Sequence, residues 1–163
     1  MEKKIYLAGG CFWGVQEYFS RLKGVISSIS GYANGKTSNP TYKEVKSQVT
    51  GHAETVEIVY DNNLISLAKL LEHYLRFVDP YSINKQGEDE GIQYRTGVYY
   101  LDESDKETIL DFFNKHLKTG YKIEVTALSN FYPAEEYHQD YLKKNPTGYC
   151  HINLGLIKKE ELK

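Results

Sequence analysis

The order of apolar patterns along the chain limits its fold more than any other feature of the sequence. Segments that alternate as in a β-strand and segments with helical spacing follow one another as strand, helix, strand, strand, helix, strand. This is the order of a split βαβ unit, and one further helix and strand come after it. The sequence therefore predicts an α+β fold with a ferredoxin-like split βαβ core, an added helix and strand, and a long irregular C-terminal tail.

The spacing of apolar residues, glycines and prolines sets the approximate bounds of each predicted element. The predicted strands cover Ile5–Ala8, Val25–Ser30, Thr55–Tyr60, Ile92–Leu101 and Ile123–Ala127. The predicted helices cover 12–22, 64–78 and 104–117, with shorter helical turns at Tyr42–Gln48 and Glu135–Leu142. The polar stretches Gly31–Pro40 and Tyr81–Gly91 are predicted to be loops. Ser104 with Glu107 has the pattern of a capping box at the start of the third long helix.

The composition is that of one globular domain. The 163 residues include 40% apolar and 26% charged residues, and the formal net charge is −2 at pH 7. This charge disfavours a strongly basic nucleic-acid-binding protein. The apolar run before Gly9 is too short for a secretory signal, and no run is long enough for a membrane span. We expect a cytoplasmic monomer with a core at about 1–128 and a wrapping tail at about 129–163.

The first predicted strand meets the first predicted helix at Gly9-Gly10-Cys11. A thiol at the first residue of a helix meets unpaired backbone N–H groups and the positive end of the helix dipole, and both favour the thiolate. Cys11 is therefore a candidate nucleophile, and the two glycines are expected to leave its sulfur open to approach. The alternative from these residues alone is a small buried thiol. Trp13 falls off the apolar stripe of the helix, so it is either a flat wall beside the sulfur or a core residue.

Several short motifs occur in order across nearly the whole chain. They are Gly-Cys-Phe-Trp-Gly at 10–14, Gly-Tyr at 31–32, Asn-Pro-Thr-Tyr at 39–42, Thr-Gly-His-Ala-Glu at 50–54, Gln-Tyr-Arg at 93–95, Tyr-His-Gln at 137–139 and Asn-Pro-x-Gly-Tyr-Cys at 145–150. Together they resemble the A-type peptide methionine sulfoxide reductases, enzymes that return oxidised methionine to methionine. The resemblance implies an oxidoreductase of protein repair under oxidative stress, with no bound cofactor and no metal.

The chemistry of that family requires an acid beside the thiol. A thiol that attacks the sulfoxide sulfur needs the oxygen to be protonated, because oxide is a poor leaving group. Glu54 precedes an apolar strand, so burial is expected to raise its pKa and keep it protonated, and the resemblance gives it the role of this acid. The resemblance also implies that Tyr42 and Tyr94 hydrogen-bond the sulfoxide oxygen. It implies that Asp89 binds water or substrate near the pocket, although a turn residue in an acidic loop is the alternative for Asp89.

The resemblance further implies a substrate pocket and a second reacting thiol. Phe12 and Trp13 would hold the methyl group of the sulfoxide. A site that fixes the methyl group, the oxygen and the line of attack accepts one epimer, and the family accepts the S epimer. Attack would leave Cys11 as a sulfenic acid, which the counterpart of Cys150 traps as a disulfide in the family. Because no further cysteine follows Cys150, we expect thioredoxin or a similar dithiol to reduce this disulfide directly.

Two other classes of function stay open from the sequence. A cysteine hydrolase would need a histidine beside Cys11. The available histidines include His52, His116 and His138. A binding module for methionine or its sulfoxide would keep Phe12 and Trp13 but would need neither cysteine.

Metal binding is disfavoured by the number and spacing of possible ligands. Two cysteines are too few for a disulfide framework or for a structural zinc site with four thiolates. Glu135-x-x-His138 has the spacing of only one half of a di-iron carboxylate site. For Cys150 and His151 a structural role is favoured over metal binding.

Overall fold

The computed structural model describes residues 1–163 and contains eight strands and five α-helices. The strands are β1 (Glu2–Gly9), β2 (Val25–Ala33), β3 (Ala53–Asp61), β4 (Lys85–Gln86), β5 (Asp89–Glu90), β6 (Thr96–Tyr100), β7 (Glu124–Ala127) and β8 (Phe131–Pro133). The helices are α1 (Phe12–Ser20), α2 (Tyr42–Lys46), α3 (Leu67–Phe77), α4 (Glu103–His116) and α5 (Tyr141–Lys144). Short 3₁₀ turns cover 92–94, 136–138, 154–156 and 159–161. None of the helices combines the length and the apolar character that crossing a membrane requires.

A six-stranded sheet with the order β7-β6-β1-β3-β2-β8 forms the centre of the fold. Strand β1 lies antiparallel to both β3 and β6, and β2 lies antiparallel to β3. Helix α1 connects β1 to β2, and α3 lies between β3 and β6 along the chain. These elements form the split βαβ unit, and α4 then leads to β7, which pairs parallel with β6. The predicted α+β fold with a ferredoxin-like core is confirmed.

Side chains that alternate along β1 and β3 are buried on opposite faces of the sheet. Ile5 and Leu7 belong to the large core that includes apolar residues of α1, α3 and α4. Tyr6 and Ala8 belong to a smaller cluster on the other face, against which Phe131 packs. Each fully buried large apolar side chain contributes about 1.5–3 kcal/mol to stability. This burial on both faces holds the end of β1 firmly, and the Gly-Gly-Cys turn begins there.

Residues 31–33 extend β2 where the sequence predicts the start of a loop. Gly31 pairs with Thr55 of β3 on one side and with Pro133 of β8 on the other. A Cβ atom at position 31 would collide with the Phe131 ring. Gly31, although typical of a loop, therefore allows close packing between strands. Its partner strand β8 comes from the distant C-terminal tail.

Two other element boundaries differ from the prediction. The strand predicted from Ile92 begins at Thr96, because the amide of Tyr94 bonds the carbonyl of Gly91 at 2.9 Å and closes a 3₁₀ turn. The capping box predicted at Ser104 is wrong, since Asp102 is the N-cap of α4. The Asp102 carboxylate accepts from the amide of Ser104 at 2.9 Å. An ionised carboxylate is a strong N-cap acceptor, and here it comes two residues before the serine.

The chain after β7 packs against three parts of the core. Strand β8 pairs with β2, and α5 packs on α1. The single helix predicted at 135–142 is instead a 3₁₀ turn followed by α5, because Asp140 between them has a left-handed φ of 51°. Near the C-terminus, the Arg76 guanidinium donates two hydrogen bonds to Glu161 at 2.7 and 2.8 Å. These contacts hold both ends of the segment that carries Cys150.

Candidate active site

Cys11 lies where β1 ends and α1 begins. Gly10 has a φ of +91°, a left-handed value that allows the chain to turn out of the strand. Cys11 then occupies the N-cap position of α1. Its side chain is nearly buried, with 8% exposure of the residue. The predicted junction of strand, glycine turn and helix is confirmed.

The pKa of the Cys11 thiol results from opposing effects. Burial is the strongest of them and raises the pKa, and the nearby Glu54 carboxyl raises it further. The backbone N–H of Trp13 in the first turn of α1 lowers the pKa, which is the effect that the sequence predicts. Burial outweighs it, so the pKa lies well above its usual range. The predicted effect of the helix start is therefore present, but burial in the folded chain is the stronger effect.

The space beside Gly10 is filled by other side chains. His151 Nε2 donates a hydrogen bond to the carbonyl of Gly9 at 2.9 Å. A Cβ atom at position 10 would lie 2.9 Å from this His151 atom and 2.8 Å from Cβ of Gln86. The expectation that Gly9 and Gly10 leave the thiol open to approach stays a prediction, because these contacts concern the space at Gly10 and not the sulfur. The absence of a side chain at Gly10 allows the tail to pack against the turn.

Glu54 is buried near the start of β3, with 2% exposure of the residue. Its Oε1 atom accepts a hydrogen bond from the amide of Phe12 at 3.1 Å, which connects the carboxyl group to the first turn of α1. Burial is the largest effect on its pKa, which is raised to about 8; the Phe12 amide and Lys46 lower it, whereas Asp89 raises it. At neutral pH Glu54 is thus mostly protonated, the state that an acid catalyst requires.

Two phenols, Tyr42 and Tyr94, approach Glu54 and Cys11 from different elements. Tyr42 is the first residue of α2, and Tyr94 is the last residue of the 3₁₀ turn at 92–94. Burial raises the pKa of both phenols, that of Tyr42 to about 12, and the charges of Glu54 and Cys11 add to the rise in each. Both phenols therefore stay protonated and can donate hydrogen bonds. Because Glu54 and Cys11 both affect the pKa of each phenol, the four side chains lie within electrostatic reach of one another.

Phe12 and Trp13 form an aromatic wall next to the thiol. Phe12 is fully buried, and its ring centroid lies 6.5 Å from that of Tyr42. Trp13 is half-buried, and the ring of Tyr141 in α5 stacks on it at a centroid distance of 3.7 Å and an angle of 8°. The sequence leaves two roles open for Trp13, a flat surface beside the sulfur or a core residue. The structure places it at the boundary between the site and the tail, where stacking keeps its indole rigid.

His138 contacts three aromatic residues of the site, a position that the sequence does not predict. Its Nδ1 atom accepts a hydrogen bond from Nε1 of Trp13 at 3.0 Å. Its ring also lies 5.3 Å from the ring of Phe12 and 4.4 Å from that of Tyr42, measured between centroids. Burial lowers the pKa of His138, so the ring is neutral with its proton on Nε2. The Tyr-His-Gln motif marks this residue, but it follows Trp13 by 125 positions, and no local spacing predicts their contact.

Asp89 lies in the β4–β5 hairpin, inside the segment predicted to be a loop. Its carboxylate accepts a hydrogen bond from the hydroxyl of Tyr149 at 2.9 Å. Its charge raises the pKa of both Cys11 and Glu54. The acidic loop is thus within electrostatic reach of the thiol, and it is tied to the tail one residue before Cys150.

Cys150 is half-buried, and both cysteines are free thiols in this structure. Its Sγ atom donates a hydrogen bond to the carbonyl of Ile152 at 3.2 Å. Burial raises the pKa of Cys150, and Cys150 in turn adds slightly to the raised pKa of Cys11. Cys150 is thus within electrostatic reach of Cys11 while both residues are free thiols.

The histidines that a hydrolase would need make other contacts. His52 hydrogen-bonds the carbonyl of Thr37 at 2.8 Å, and His116 that of Phe112 at 2.8 Å. His138 accepts from an indole, as described above. A histidine that activates a nucleophile must lie within hydrogen-bond distance of it, and these three are held by other groups.

The candidate metal-binding pattern is also used for packing. Glu135 accepts from the hydroxyl of Tyr32 at 2.8 Å and from the amide of Tyr42 at 2.9 Å. No group of three or more His, Cys, Asp or Glu side chains has an arrangement that could hold a metal ion. The carboxylate of Glu135 therefore positions α2, which carries Tyr42.

The two free thiols on this split βαβ core fit a thiol-dependent oxidoreductase. The family described as peptide methionine sulfoxide reductase matches residues 3–163, and the chain belongs to this family. The resemblance that the motifs indicate is thus confirmed.

Individual relatives agree with this assignment. The chain is 59% identical over 155 residues to peptide methionine sulfoxide reductase MsrA of Lachnoclostridium phytofermentans, with 93% of each chain covered. Its fold matches methionine sulfoxide reductase A of Corynebacterium diphtheriae with a TM-score of 0.85 at 32% identity, over 91% of this chain and 77% of that chain. It matches reduced Mxr1 of Saccharomyces cerevisiae with a TM-score of 0.83 at 34% identity, over 91% and 88%. The chain is therefore an enzyme that reduces methionine sulfoxide in peptides.

Proposed function

We propose that this reductase acts on the S epimer of methionine sulfoxide, free or in proteins, through attack by Cys11 and protonation by Glu54. One observation carries the proposal: the Cys11 thiol and a buried carboxyl group, whose pKa burial raises to about 8, are held at the same helix start. The amide of Phe12, the residue after Cys11, bonds Glu54 at 3.1 Å. A carboxylate in this place would repel the attacking thiolate, whereas a carboxylic acid can donate its proton.

The proposed first step transfers oxygen from the substrate to Cys11. The sulfur of Cys11 attacks the sulfoxide sulfur, so a bond forms between the two sulfurs while the S–O bond breaks and the protonated oxygen leaves as hydroxide. This hydroxide then adds to the Cys11 sulfur, and the bond between the two sulfurs breaks with its electron pair going to the methionine sulfur. The products are methionine and a sulfenic acid at Cys11. The thiol supplies the two electrons. Glu54 gives its proton to the leaving oxygen, and the proton lost by the thiol restores Glu54. Tyr42 and Tyr94 donate hydrogen bonds to the oxygen while negative charge develops on it.

The aromatic wall supports selection between the two sulfoxide epimers. In the proposed pose the methyl group lies against Phe12 and Trp13, and the oxygen points to Glu54 and the phenols. The other epimer exchanges the positions of oxygen and lone pair, so its oxygen would lack these donors when the methyl group is in the pocket. The buried phenols and carboxyl group would then be unpaired, which is a large penalty for the wrong substrate.

The test of this assignment is turnover of the two separated epimers of an N-acetylated methionine sulfoxide, with dithiothreitol as reductant. We expect kcat/KM for the S epimer to exceed that for the R epimer by about 100-fold or more, because only one epimer satisfies the buried donors. Methionine formation is followed by chromatography, and each epimer serves as the control for the other. Equal rates would contradict the proposed pocket.

The second proposed step regenerates Cys11. The thiol of Cys150 attacks the sulfur of the sulfenic acid, a Cys11–Cys150 disulfide forms and water leaves. Thioredoxin, a protein dithiol, then reduces this disulfide, and no bound cofactor takes part. Both thiols are free, and Sγ of Cys150 packs against position 14 of the helix that begins at Cys11, which supports this cycle. The related yeast protein Mxr1 has been solved in complex with Trx2.

The protonated state of Glu54 predicts the pH dependence of the reductase. Activity requires the acid form, so kcat/KM is expected to fall as the pH rises through about 8, the pKa of Glu54. The charge of Asp89 raises this pKa. In Asp89→Asn the pKa is therefore expected to be lower, and the alkaline fall to begin at lower pH. At pH 8.5 the variant should lose several-fold more of its own maximal rate than the native enzyme does.

The matched control for this measurement is Glu90→Gln, which removes the same charge from the next residue. Glu90 is exposed, with a side-chain exposure of 74%, so its charge is largely screened from the site. Its pH profile is expected to follow that of the native enzyme. An Asp89→Asn profile with an unchanged alkaline limb would show that Asp89 does not act on the acid.

A further inference from the structure

The Cys150 side chain packs against the one glycine inside helix α1. A Cβ atom built at Gly14 would lie 3.0 Å from Sγ of Cys150 and 3.2 Å from Cδ1 of Ile152. Both distances are shorter than ordinary contacts between side chains, so the tail comes this close only because position 14 has no side chain. Residue 14 is three positions after Cys11, and residues at this spacing share one face of a helix. The sulfur of Cys150 is thus held over the face that begins with Cys11.

The backbone of Gly14 does not explain why a glycine stands there. Its φ is not among the positive values found at other glycines, and it lies within the regular helix from Phe12 to Ser20. Alanine is a better helix former than glycine at such a position. The space taken by Cys150 and Ile152 is the feature that requires glycine.

The two residues that follow Cys150 in the chain are also held in place. His151 bonds the carbonyl of Gly9 at 2.9 Å and lies against Gly10. Ile152 is 6% exposed and belongs to the main core. The residues on the C-terminal side of Cys150 are therefore anchored on both sides of the Cys11 turn. The thiol between these contacts has little freedom to move away from α1.

We propose that Gly14 is a positioning residue that seats Cys150 for attack on the sulfenic acid at Cys11. The inference rests on the proposed resolving role of Cys150 and adds the surface on which that residue docks. The step itself is the one given above: the S–S bond forms, the S–O bond of the sulfenic acid breaks, and its oxygen leaves as water. Gly14 has no side chain that could react or bind the methionine sulfoxide, so its proposed role is exerted through Cys150.

The test is Gly14→Ala, studied in a single turnover without reductant. The added methyl group must push the Cys150 sulfur away by a few tenths of an ångström, and small displacements of reacting groups lower rates strongly. We expect the Cys11–Cys150 disulfide to form about 10-fold more slowly, measured by acid quench and mass spectrometry. The sulfenic acid should accumulate and be trapped by dimedone. Dithiothreitol, which reduces sulfenic acid directly, should bypass the delay.

A second variant distinguishes the contact from a general structural change. Gly14→Ala with Ile152→Val removes Cδ1 of Ile152, the apolar atom nearest to the added methyl group. We expect this pair to recover part of the lost rate, whereas Ile152→Val alone should gain nothing. Thermal unfolding of the dithiol forms checks the fold, and alanine should support the helix itself.

The rate of disulfide formation decides whether Gly14 positions Cys150, as inferred above. Disulfide formation at the native rate in Gly14→Ala would overturn it, and so would an unfolded Gly14→Ala chain, since the methyl group is expected to displace only the tail. If the native chain forms no Cys11–Cys150 disulfide after reducing the sulfoxide, the proposed resolving role has failed and the inference fails with it. A native chain that forms the disulfide, with a variant that forms it slowly, supports both.

Discussion

Replacement of Cys11 by serine is expected to abolish sulfoxide reduction, with a loss on the order of 10⁴-fold or more. The physical reason lies in the product of the first step. A thiol that accepts the sulfoxide oxygen becomes a sulfenic acid, which is a stable oxidation level of sulfur. An alcohol that accepted the same oxygen would become a peroxide. The measurement is methionine formed per chain with dithiothreitol over several hours, with the S epimer as substrate.

The fold is expected to survive this substitution. Cys11 is the N-cap of α1 but makes no side-chain cap hydrogen bond, and serine is among the best N-cap residues. The thermal midpoint of Cys11→Ser should therefore equal or exceed that of the native chain. Cys150→Ser is the matched control, since it makes the same exchange at the other thiol and should keep the first turnover. Turnover by a folded Cys11→Ser chain would show that another group attacks the sulfoxide.

The core of the fold could be predicted because its elements carry their own periodic patterns. The apolar run Ile5–Ala8 ends at Gly9-Gly10, and helical spacing begins directly after Cys11. The end of β2 could not be predicted in this way. Gly31 is typical of a loop, yet it is strand because β8, from the far end of the chain, pairs with it. Pairing between distant segments leaves no local pattern, and local propensity yields to it.

In the candidate site, too, local patterns predict some features, whereas contacts between distant parts of the chain determine the others. The motifs indicate which residues belong to it, and burial of Glu54 follows from the apolar strand that it precedes. The raised pKa of the Cys11 thiol does not follow, because the helix start is a local effect whereas burial depends on the whole fold. The contact of His138 with Trp13 and the seat of Cys150 on Gly14 join α1 to the tail. Such contacts need the folded chain.

Replacement of Cys150 by serine is expected to limit thioredoxin-supported reduction to a single turnover. The first step uses only Cys11 and the groups around its substrate, so one methionine per chain should form at the native rate. Without the second thiol no intramolecular disulfide can form, and thioredoxin has no disulfide to reduce. Steady-state turnover with thioredoxin should therefore fall at least about 100-fold, whereas dithiothreitol reduces the sulfenic acid directly and should restore repeated turnover.

The structure makes this substitution a clean test of the second step. Serine is slightly smaller than cysteine, so it fits against Gly14, and its hydroxyl can bond the carbonyl of Ile152 as the thiol does at 3.2 Å. The tail is therefore expected to keep its place, and a changed fold would not explain a stall after one turnover. Methionine is counted per chain with each reductant, and dimedone labels the accumulated sulfenic acid at Cys11. Native cycling of Cys150→Ser with thioredoxin would mean that thioredoxin attacks the sulfenic acid itself. The position of Cys150 beside α1 would then serve packing and not catalysis.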